Sequence, residues 1–396
     1  MSDRKLSNWI ESYLKYTEDS EAPYLYRVWT AYSVVAACLQ RKISFSKGHI
    51  TFYPNIYVLL VGPPGAKKGT AMKPGIALLR EIPGVKIAAQ ATTKESLVRE
   101  LHTSTFTDAD PETMEVFIHS SMTICSEEFT VFIGYNNKEL ISWMCDWWDC
   151  QDPWEYQTKN MGHDCIRGIW VNMIAATTPD ILILTLPQEA VGGGLMSRVI
   201  CVLEEKKGKT KSIFDQSIDT DLWNTLVHDL EYISQMKGAY IASKGYQEVF
   251  DDWYYRQESN PPFTDRRLAG YVSKRATHIV KISMIASASR SSELVLEKED
   301  FIAAREVLEK TEIKMPKTFS GFGESDMSSI LAKVASTIAA YDGISFKDLL
   351  AQHYYDASKE VLRDIVATLT GMDYCSIATQ PEGSFIVYNK EKGMKI

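Results

Sequence analysis

The chain has 396 residues, 45% of them hydrophobic and 24% charged, with a formal net charge of −8. That length leaves room for two or three domains and a large core, and the acidic balance confines any nucleic-acid contact to local basic surfaces. No apolar run approaches the roughly 18 residues that span a bilayer. Seven cysteines scattered along the chain suit reduced thiols better than a disulfide framework, so a soluble cytoplasmic protein is expected.

Residues from about Lys5 to Ile43 have helical periodicity, with Trp9, Ile10, Tyr13 and Leu14 on one face. Thr51–Val61 reads as a strand that breaks into Gly62-Pro63-Pro64-Gly65-Ala66-Lys67-Lys68-Gly69-Thr70, after which helical spacing resumes. This is the pattern of a phosphate-binding strand–loop–helix, in which glycines let backbone N–H groups curl round phosphate oxygens and a lysine neutralises the outer phosphates. In the G-x-x-x-x-G-K-[ST] frame Lys68 takes the lysine position, with ATP and Mg²⁺ as the expected ligands. Lys67 stands where the second glycine belongs and Gly69 where a hydroxyl should hold Mg²⁺; Thr70, one residue on, supplies that oxygen in a shifted register. A Gly/Pro-rich turn with surface lysines is the competing reading.

Val85–Ala89 is expected as a short strand, followed by a helix that Thr93 or a neighbouring hydroxyl caps and that runs to about Leu101. The strand Val116–Cys125 then leads into Ser126-Glu127-Glu128. Carboxylates at a strand tip near a phosphate loop suit a Mg²⁺-bound water and the activation of an attacking water. Glu127 is assigned to the metal shell and Glu128 to the general base, or the reverse. A helix with the aromatic face Leu140, Trp143, Met144, Trp147 and Trp148 follows. Next comes a turn at Asn160–Gly162 between two β-like arms, carrying Lys159, His163 and Arg167 as a nucleic-acid-contacting tip or as a plain surface hairpin. Cys145, Cys150, His163 and Cys165 fit no C-x-x-C spacing and are not expected to hold zinc.

The strand Ile169–Ala176 ends in Thr177-Thr178-Pro179, where Thr177 either touches the γ-phosphate or lytic water, or caps the next helix. Gly192-Gly193-Gly194-Leu195-Met196-Ser197-Arg198 leads into a last strand, Arg198–Leu203. Arg198 is a candidate arginine finger toward a neighbouring subunit's nucleotide, with a structural salt bridge as the alternative. Alternating strands and helices predict an α/β fold with a mostly parallel sheet covered on both faces. After the charged connector Glu204–Lys211 a helical region extends from about Thr220 to Glu312, where Arg275 is a candidate second sensor from a lid or part of a solvated basic face. A Gly/Ser-rich linker at Ser320–Ser325 separates a tail of helices Met327–Tyr341, Ser345–Gln352 and Ser358–Met372, and a hairpin-like Ser376–Tyr388. That order suits a winged helix, with Lys359 and Arg363 as phosphate contacts or with a protein-docking role instead. The expected parts are a helical N-terminal segment (1–50), a P-loop core (51–205), a helical lid (206–318) and a winged-helix-like domain (326–396).

Taken in order, Gly62–Thr70, Ser126-Glu127-Glu128, Ala175-Ala176-Thr177-Thr178-Pro179 and Gly192–Arg198 resemble a family of phage- and prophage-encoded primase/helicase-like P-loop ATPases. The Tyr53–Val58 lead-in and the Trp143–Tyr156 aromatic stretch add to the likeness, which covers about Ser7 to Leu203. It implies an additional-strand P-loop core with the acidic strand beside the phosphate strand. It also implies assembly into a ring, and a hairpin before the first sensor that projects Lys159 into a central channel. Gly69 and Ser126-Glu127, the latter where the family has Asp, are departures that bear on hydrolysis. No zinc-ribbon or polymerase-like segment accompanies the motifs, so priming activity is not implied. The expectation is an ATP-driven ring motor on DNA, with a helicase loader or nucleotide-controlled assembly switch as the alternative.

Overall fold

A break at Thr17–Pro23 divides the N-terminal helical run. In the computed structural model Asn8 caps α1 (Trp9–Tyr16), accepting from the Glu11 N–H at 3.3 Å, and Pro23 precedes α2 (Tyr24–Leu39), which is buried along most of its length. The structure describes residues 3–389 except 90–92, 110–113, 159–161, 192–193, 216–217, 320–325, 342 and 381–382. The chain divides into two compact units, Met1–Phe319 and Ser320–Ile396.

In the first unit α2 leads to the antiparallel pair β1 (Ile43–Lys47) and β2 (Ile50–Phe52). The strand expected over Thr51–Val61 is broken around Pro54, because proline gives the ladder no N–H. The chain resumes as β3 (Tyr57–Val61), then α3 (Lys68–Glu81) and α4 (Lys94–Thr103), which Thr93 caps through the Ser96 N–H. The edge strand β4 (Thr105–Ala109) and the long β5 (Val116–Ser126) come next, then α5 (Phe129–Ile133) and α6 (Lys138–Trp148). The hairpin β6 (Trp154–Thr158) and β7 (Gly162–Ile166) is followed by β8 (Ile169–Thr177), α7 (Pro179–Thr185), α8 (Gln188–Val191) and β9 (Val199–Leu203).

These strands form a five-stranded sheet in the order β4-β5-β8-β3-β9, parallel throughout except for β4. Every residue of β3, β8 and β9 is buried, the signature of strands covered on both faces. Each fully buried Leu or Val there contributes about 2 kcal/mol of transfer free energy. The acidic strand is not beside the phosphate strand as expected: β8 lies between β5 and β3. β8 is buried end to end and mostly apolar, so it takes an interior place, whereas β5 exposes Val116 and Ile118 and lies next to the edge. Val85–Ala89 forms no full strand. It makes a single bridge, Ile87 to Thr123, continuing the edge of β5 beyond the point where β4 stops pairing.

The region from Thr220 to Glu312 is not all helix. Between α9 (Thr220–Ser234), α10 (Lys244–Ser259), α11 (Ala269–Arg290) and α12 (Lys298–Glu312) lie two short strands, β10 (Gly238–Ala242) and β11 (Val295–Leu296). They make a second sheet, β11-β10-β1-β2, in which β1 and β10 run parallel. Strands of two and five residues carry too little periodicity to be read against flanking helices. The N-terminal residues and the region after the core are thus joined by backbone pairing within one compact unit.

The second unit comprises α13 (Asp326–Ala340), β12 (Ile344–Ser345), α14 (Phe346–His353), α15 (Lys359–Gly371), β13 (Cys375–Gln380) and β14 (Gly383–Tyr388). Ser345 and Ser358 cap α14 and α15, and the strands form an antiparallel sheet in the order β12-β14-β13. Its core is Val334, Ile338, Leu349, Leu362, Ile365 and Leu369 with their neighbours. Among the described residues of the chain, no helix is long and apolar enough to cross a membrane.

Candidate nucleotide site

The loop between β3 and α3 is anchored at its first residue. The Val61 carbonyl accepts from the Glu204 N–H at 3.0 Å and from the Tyr26 hydroxyl at 2.5 Å, while the Gly62 N–H donates to Thr177 O at 3.3 Å. A side chain at Gly62 has no room, since its Cβ would stand 2.4 Å from Glu204 O and 2.5 Å from the Tyr26 hydroxyl oxygen. Pro63, Pro64 and Gly65 are exposed, and the Ala66 N–H closes a turn onto Pro63 O at 3.2 Å. The chain then passes through positive φ at Gly65 (85°) and Lys67 (65°) and enters α3 at Lys68. The helix has no side-chain N-cap. Its first-turn N–H groups lack intrahelical partners and carry the positive end of the helix dipole, so they are suited to an anion. The two prolines donate nothing, which concentrates backbone donors at Gly65 and at Lys67–Thr70.

The Lys68 ammonium folds back over the loop and donates to Gly62 O at 2.5 Å and Pro63 O at 3.1 Å. Partial burial lowers its pKa from the ordinary lysine value, and the Glu128 carboxylate pulls in the opposite direction. Glu127 and Glu128 are exposed at the tip of β5, directly after the buried Ser126, whose hydroxyl donates to Glu128 O at 2.9 Å. Glu127 lies against α3: a Cβ at Gly69 would be 2.5 Å from its Oε2. Thr70 is the next residue, exposed. A carboxylate and a hydroxyl at the first turn are hard oxygen donors of the kind Mg²⁺ takes alongside phosphate oxygens and water. Glu127 and Thr70 therefore fit that role. Thr177 lies at the end of β8 in register with Val61, buried, with its hydroxyl donating to Thr178 O at 3.3 Å; Thr178, not Thr177, caps α7.

Other candidates lie elsewhere. Arg198 precedes β9, where β3 and β9 begin, and about 13 Å of strand separates that edge from the loop. Its guanidinium donates to Asp149 and, at 2.9 Å, to Gly194 O. Arg275 does not stand free as a swinging sensor. It is buried and bonded to Glu312 through Nε and Nη2, each at 2.7 Å, and to Gln257 through Nη1 at 3.2 Å. Nor is it on a solvated face; its donors are used inside the helical layer. Lys159 lies outside the described residues. His163 is in β7, its side chain likewise outside them, and Arg167 is exposed between β7 and β8. In the second unit Lys359 and Arg363 are exposed on one face of α15, Arg363 with its Cζ 5.7 Å from the Phe346 ring. Among the described residues no group of three metal-binding side chains is assembled.

Glu21 is part of the loop's surroundings and was not legible in the sequence. It accepts from Lys67 at 2.7 Å, from Lys207 at 2.6 Å and from the Lys211 N–H at 3.2 Å, and these donors hold its carboxyl down to about 2. The acidic turn Glu18–Glu21 and the basic connector Lys206–Lys211 are complementary in charge, but some 185 residues lie between them and no spacing rule pairs them. No protein-family model matches the chain, and no curated protein matches it at a significant level.

Proposed function

We propose that this protein binds and hydrolyses ATP on a P-loop core and works as a ring-forming motor on DNA, like a phage replicative helicase. The observation that carries this is the meeting of three elements at one end of the sheet: Lys68 at an uncapped helix start, Glu127 against Gly69, and Glu128 near the Lys68 ammonium. In this mechanism the first-turn N–H groups and Lys68 hold the phosphates. Glu127 and Thr70 would hold Mg²⁺, whose contribution when bound is to neutralise charge on the phosphate oxygens. Glu128 takes the proton of the attacking water, and Thr177 senses the terminal phosphate. The interior polar-tipped strand β8, between β3 and β5, supports the additional-strand form of this core. Three helices and a three-stranded antiparallel sheet in the second unit support a winged-helix-like domain. There Lys359 and Arg363 would face DNA phosphate, or the domain would dock a replication protein. A cytoplasmic setting accords with such a motor.

A second possibility, a helicase loader or nucleotide-controlled assembly switch with little turnover, is favoured by one specific observation: Gly69 offers no hydroxyl and Glu127 fills the space such a group would need. ATP turnover with and without single-stranded DNA decides between them, comparing wild type with Lys68→Ala and Glu128→Gln. The motor requires DNA-stimulated turnover and strand separation, loss of nucleotide binding in Lys68→Ala, and binding without turnover in Glu128→Gln. ATP-dependent assembly without unwinding selects the switch. Equal turnover in all three proteins overturns both roles.

A further inference from the structure

Four helices of the first unit, α1, α2, α11 and α12, enclose a cleft of about 430 Å³ that no residue of the Lys68 loop or of the acidic tip of β5 lines. That volume is within the usual range for small-molecule sites. Ile10, Leu14, Val28 and Val307 give it aliphatic walls. One polar group interrupts them. Tyr32 is only 5% exposed, yet among the described residues its hydroxyl makes no hydrogen bond, and it is not one of the oxygens sealed from solvent, so it opens into the cleft. A buried phenol hydroxyl normally finds a partner, and here the protein supplies none.

The rim is acidic. Glu11, Glu299, Asp300 and Glu306 line the cleft against Arg290 and Lys310, two carboxylates in excess of the cations. Asp300 is already matched: its oxygens accept from Arg290 at 2.6 and 2.7 Å, and Lys310 lies 3.5 Å from Glu306. Among the described residues no lysine or arginine pairs with Glu11 or Glu299, which stand exposed in the first turns of α1 and α12. A helix start favours an acidic side chain but leaves its outer carboxylate oxygens to solvent. The negative field reaches the phenol: burial, then Tyr24 and the carboxylates of Asp300, Glu11 and Glu306, raise the pKa of the Tyr32 hydroxyl, which therefore stays protonated. Such a rim repels an anion, and among the described residues no three side chains are grouped to hold a metal ion. An aliphatic stem carrying ammonium groups meets both surfaces, its methylenes on the walls and its charges at the carboxylates. The Tyr32 hydroxyl oxygen then accepts from an ammonium N–H.

We propose that this cleft binds an aliphatic diamine or polyamine, its ammonium groups on Glu11, Glu299 and the Tyr32 hydroxyl and its methylenes along Ile10, Val28 and Val307. The site shares no residue with the nucleotide loop, so it stands whether or not ATP binds. Bound there, the ligand ties the two N-terminal helices to α11 and α12. Calorimetric titration of the full chain with putrescine and with spermidine tests this. One ligand per chain is expected, with a melting temperature that rises with ligand concentration. Tyr32→Phe, which keeps the ring, should weaken binding about fivefold. Glu11→Gln combined with Glu299→Gln should weaken it at least about tenfold. Without ligand, both variants should melt within a few degrees of wild type. Butylamine, with one charge, should bind more weakly than putrescine, and Mg²⁺ at matched ionic strength should not displace the diamine. No heat from either polyamine up to the millimolar range overturns the site. So does an affinity that both variants leave unchanged, or displacement by Mg²⁺ at matched ionic strength, which would mark a plain counter-ion effect. Tighter binding of Nα-acetyl-lysine amide than of putrescine also overturns it, making the cleft a seat for a partner protein's lysine.

Discussion

The Glu127 carboxylate occupies the place that a side chain at residue 69 would fill: a Cβ there would come within 2.5 Å of Oε2 and 3.2 Å of Cδ. Glycine at this position and the acidic tip of β5 are therefore matched. Gly69→Ala should displace the carboxylate, because the end of a flexible side chain moves more readily than a helix backbone. The expected result is a fall of about tenfold to a hundredfold in Mg²⁺-dependent ATP turnover with nucleotide binding kept, as a shift of about 1 Å in a reacting group produces. Steady-state turnover across a Mg²⁺ titration measures it. An unaltered Mg²⁺ dependence would remove Glu127 from the metal's surroundings.

Lys67 is on the loop between β3 and α3 yet bonded to Glu21, and Glu21 is bonded in turn to the connector at Lys207 and Lys211. Glu21→Gln should release Lys67, tighten ATP a few-fold in a fluorescent-nucleotide titration, and open Lys206–Lys211 to trypsin without nucleotide. The carboxyl's folded pKa lies below its ordinary value of 4.5, near 2. Its stabilisation is therefore complete above about 4.5 and lost as pH falls toward 2, so the melting difference between wild type and Glu21→Gln should shrink over that window. Unchanged affinity and an unchanged trypsin pattern would mean that the ion pair does not restrain the loop.

Arg275 and Glu312 form a buried two-point pair with Gln257 on the third donor. Glu312→Gln leaves the buried guanidinium with only the half-exposed Glu309 carboxylate, 3.7 Å away, and should cost about 3 kcal/mol in urea unfolding, whereas Arg275→Met combined with Glu312→Leu should recover most of it. ATP affinity should be unchanged in the folded double variant. Its loss there would return Arg275 to the nucleotide.

Lys281 titrates below its ordinary 10.5, at about 8, because burial opposes the charged form and Lys274 and Arg198 add to the effect, while Cys150 and Asp149 oppose it. Between those values the unfolded chain binds the additional proton, so stability rises with pH. The melting temperature of wild type relative to Lys281→Met should climb from pH 8 to about 10.5 and stay flat below. A flat difference throughout would place the ammonium in contact with water.

The central sheet was legible because β3, β5 and β8 carry apolar runs closed by punctuating residues: Gly62-Pro63-Pro64, Glu127-Glu128 and Thr178-Pro179. So was the cap at Thr93. The position of β8 between β3 and β5 was not, since strand order depends on which edges can bear exposure, and only the partial burial of β5 reveals it. β10 and β11 escaped notice because their pairing partners lie far away in sequence. At the site, Lys68, Glu127, Glu128 and Thr177 were readable as motif positions. Glu21 and Tyr26 were not, because a bond from the Tyr26 hydroxyl to a main-chain carbonyl leaves no pattern in the chain. Arg275 misled for a related reason: a basic residue on a helix looks solvated until its acid is found 37 positions later.

The parallel pairing of Ile43–Phe45 with Gly238–Tyr240 also bears on synthesis at the ribosome. By the time Leu203 emerges, the large sheet has all its strands, but one side of β1 still waits for a strand that has yet to be translated. A nascent chain paused in that interval carries an open ladder of backbone groups that another polypeptide can join. Expression of fragments ending between Leu203 and Gly238 is accordingly the condition under which this sequence is most prone to insolubility.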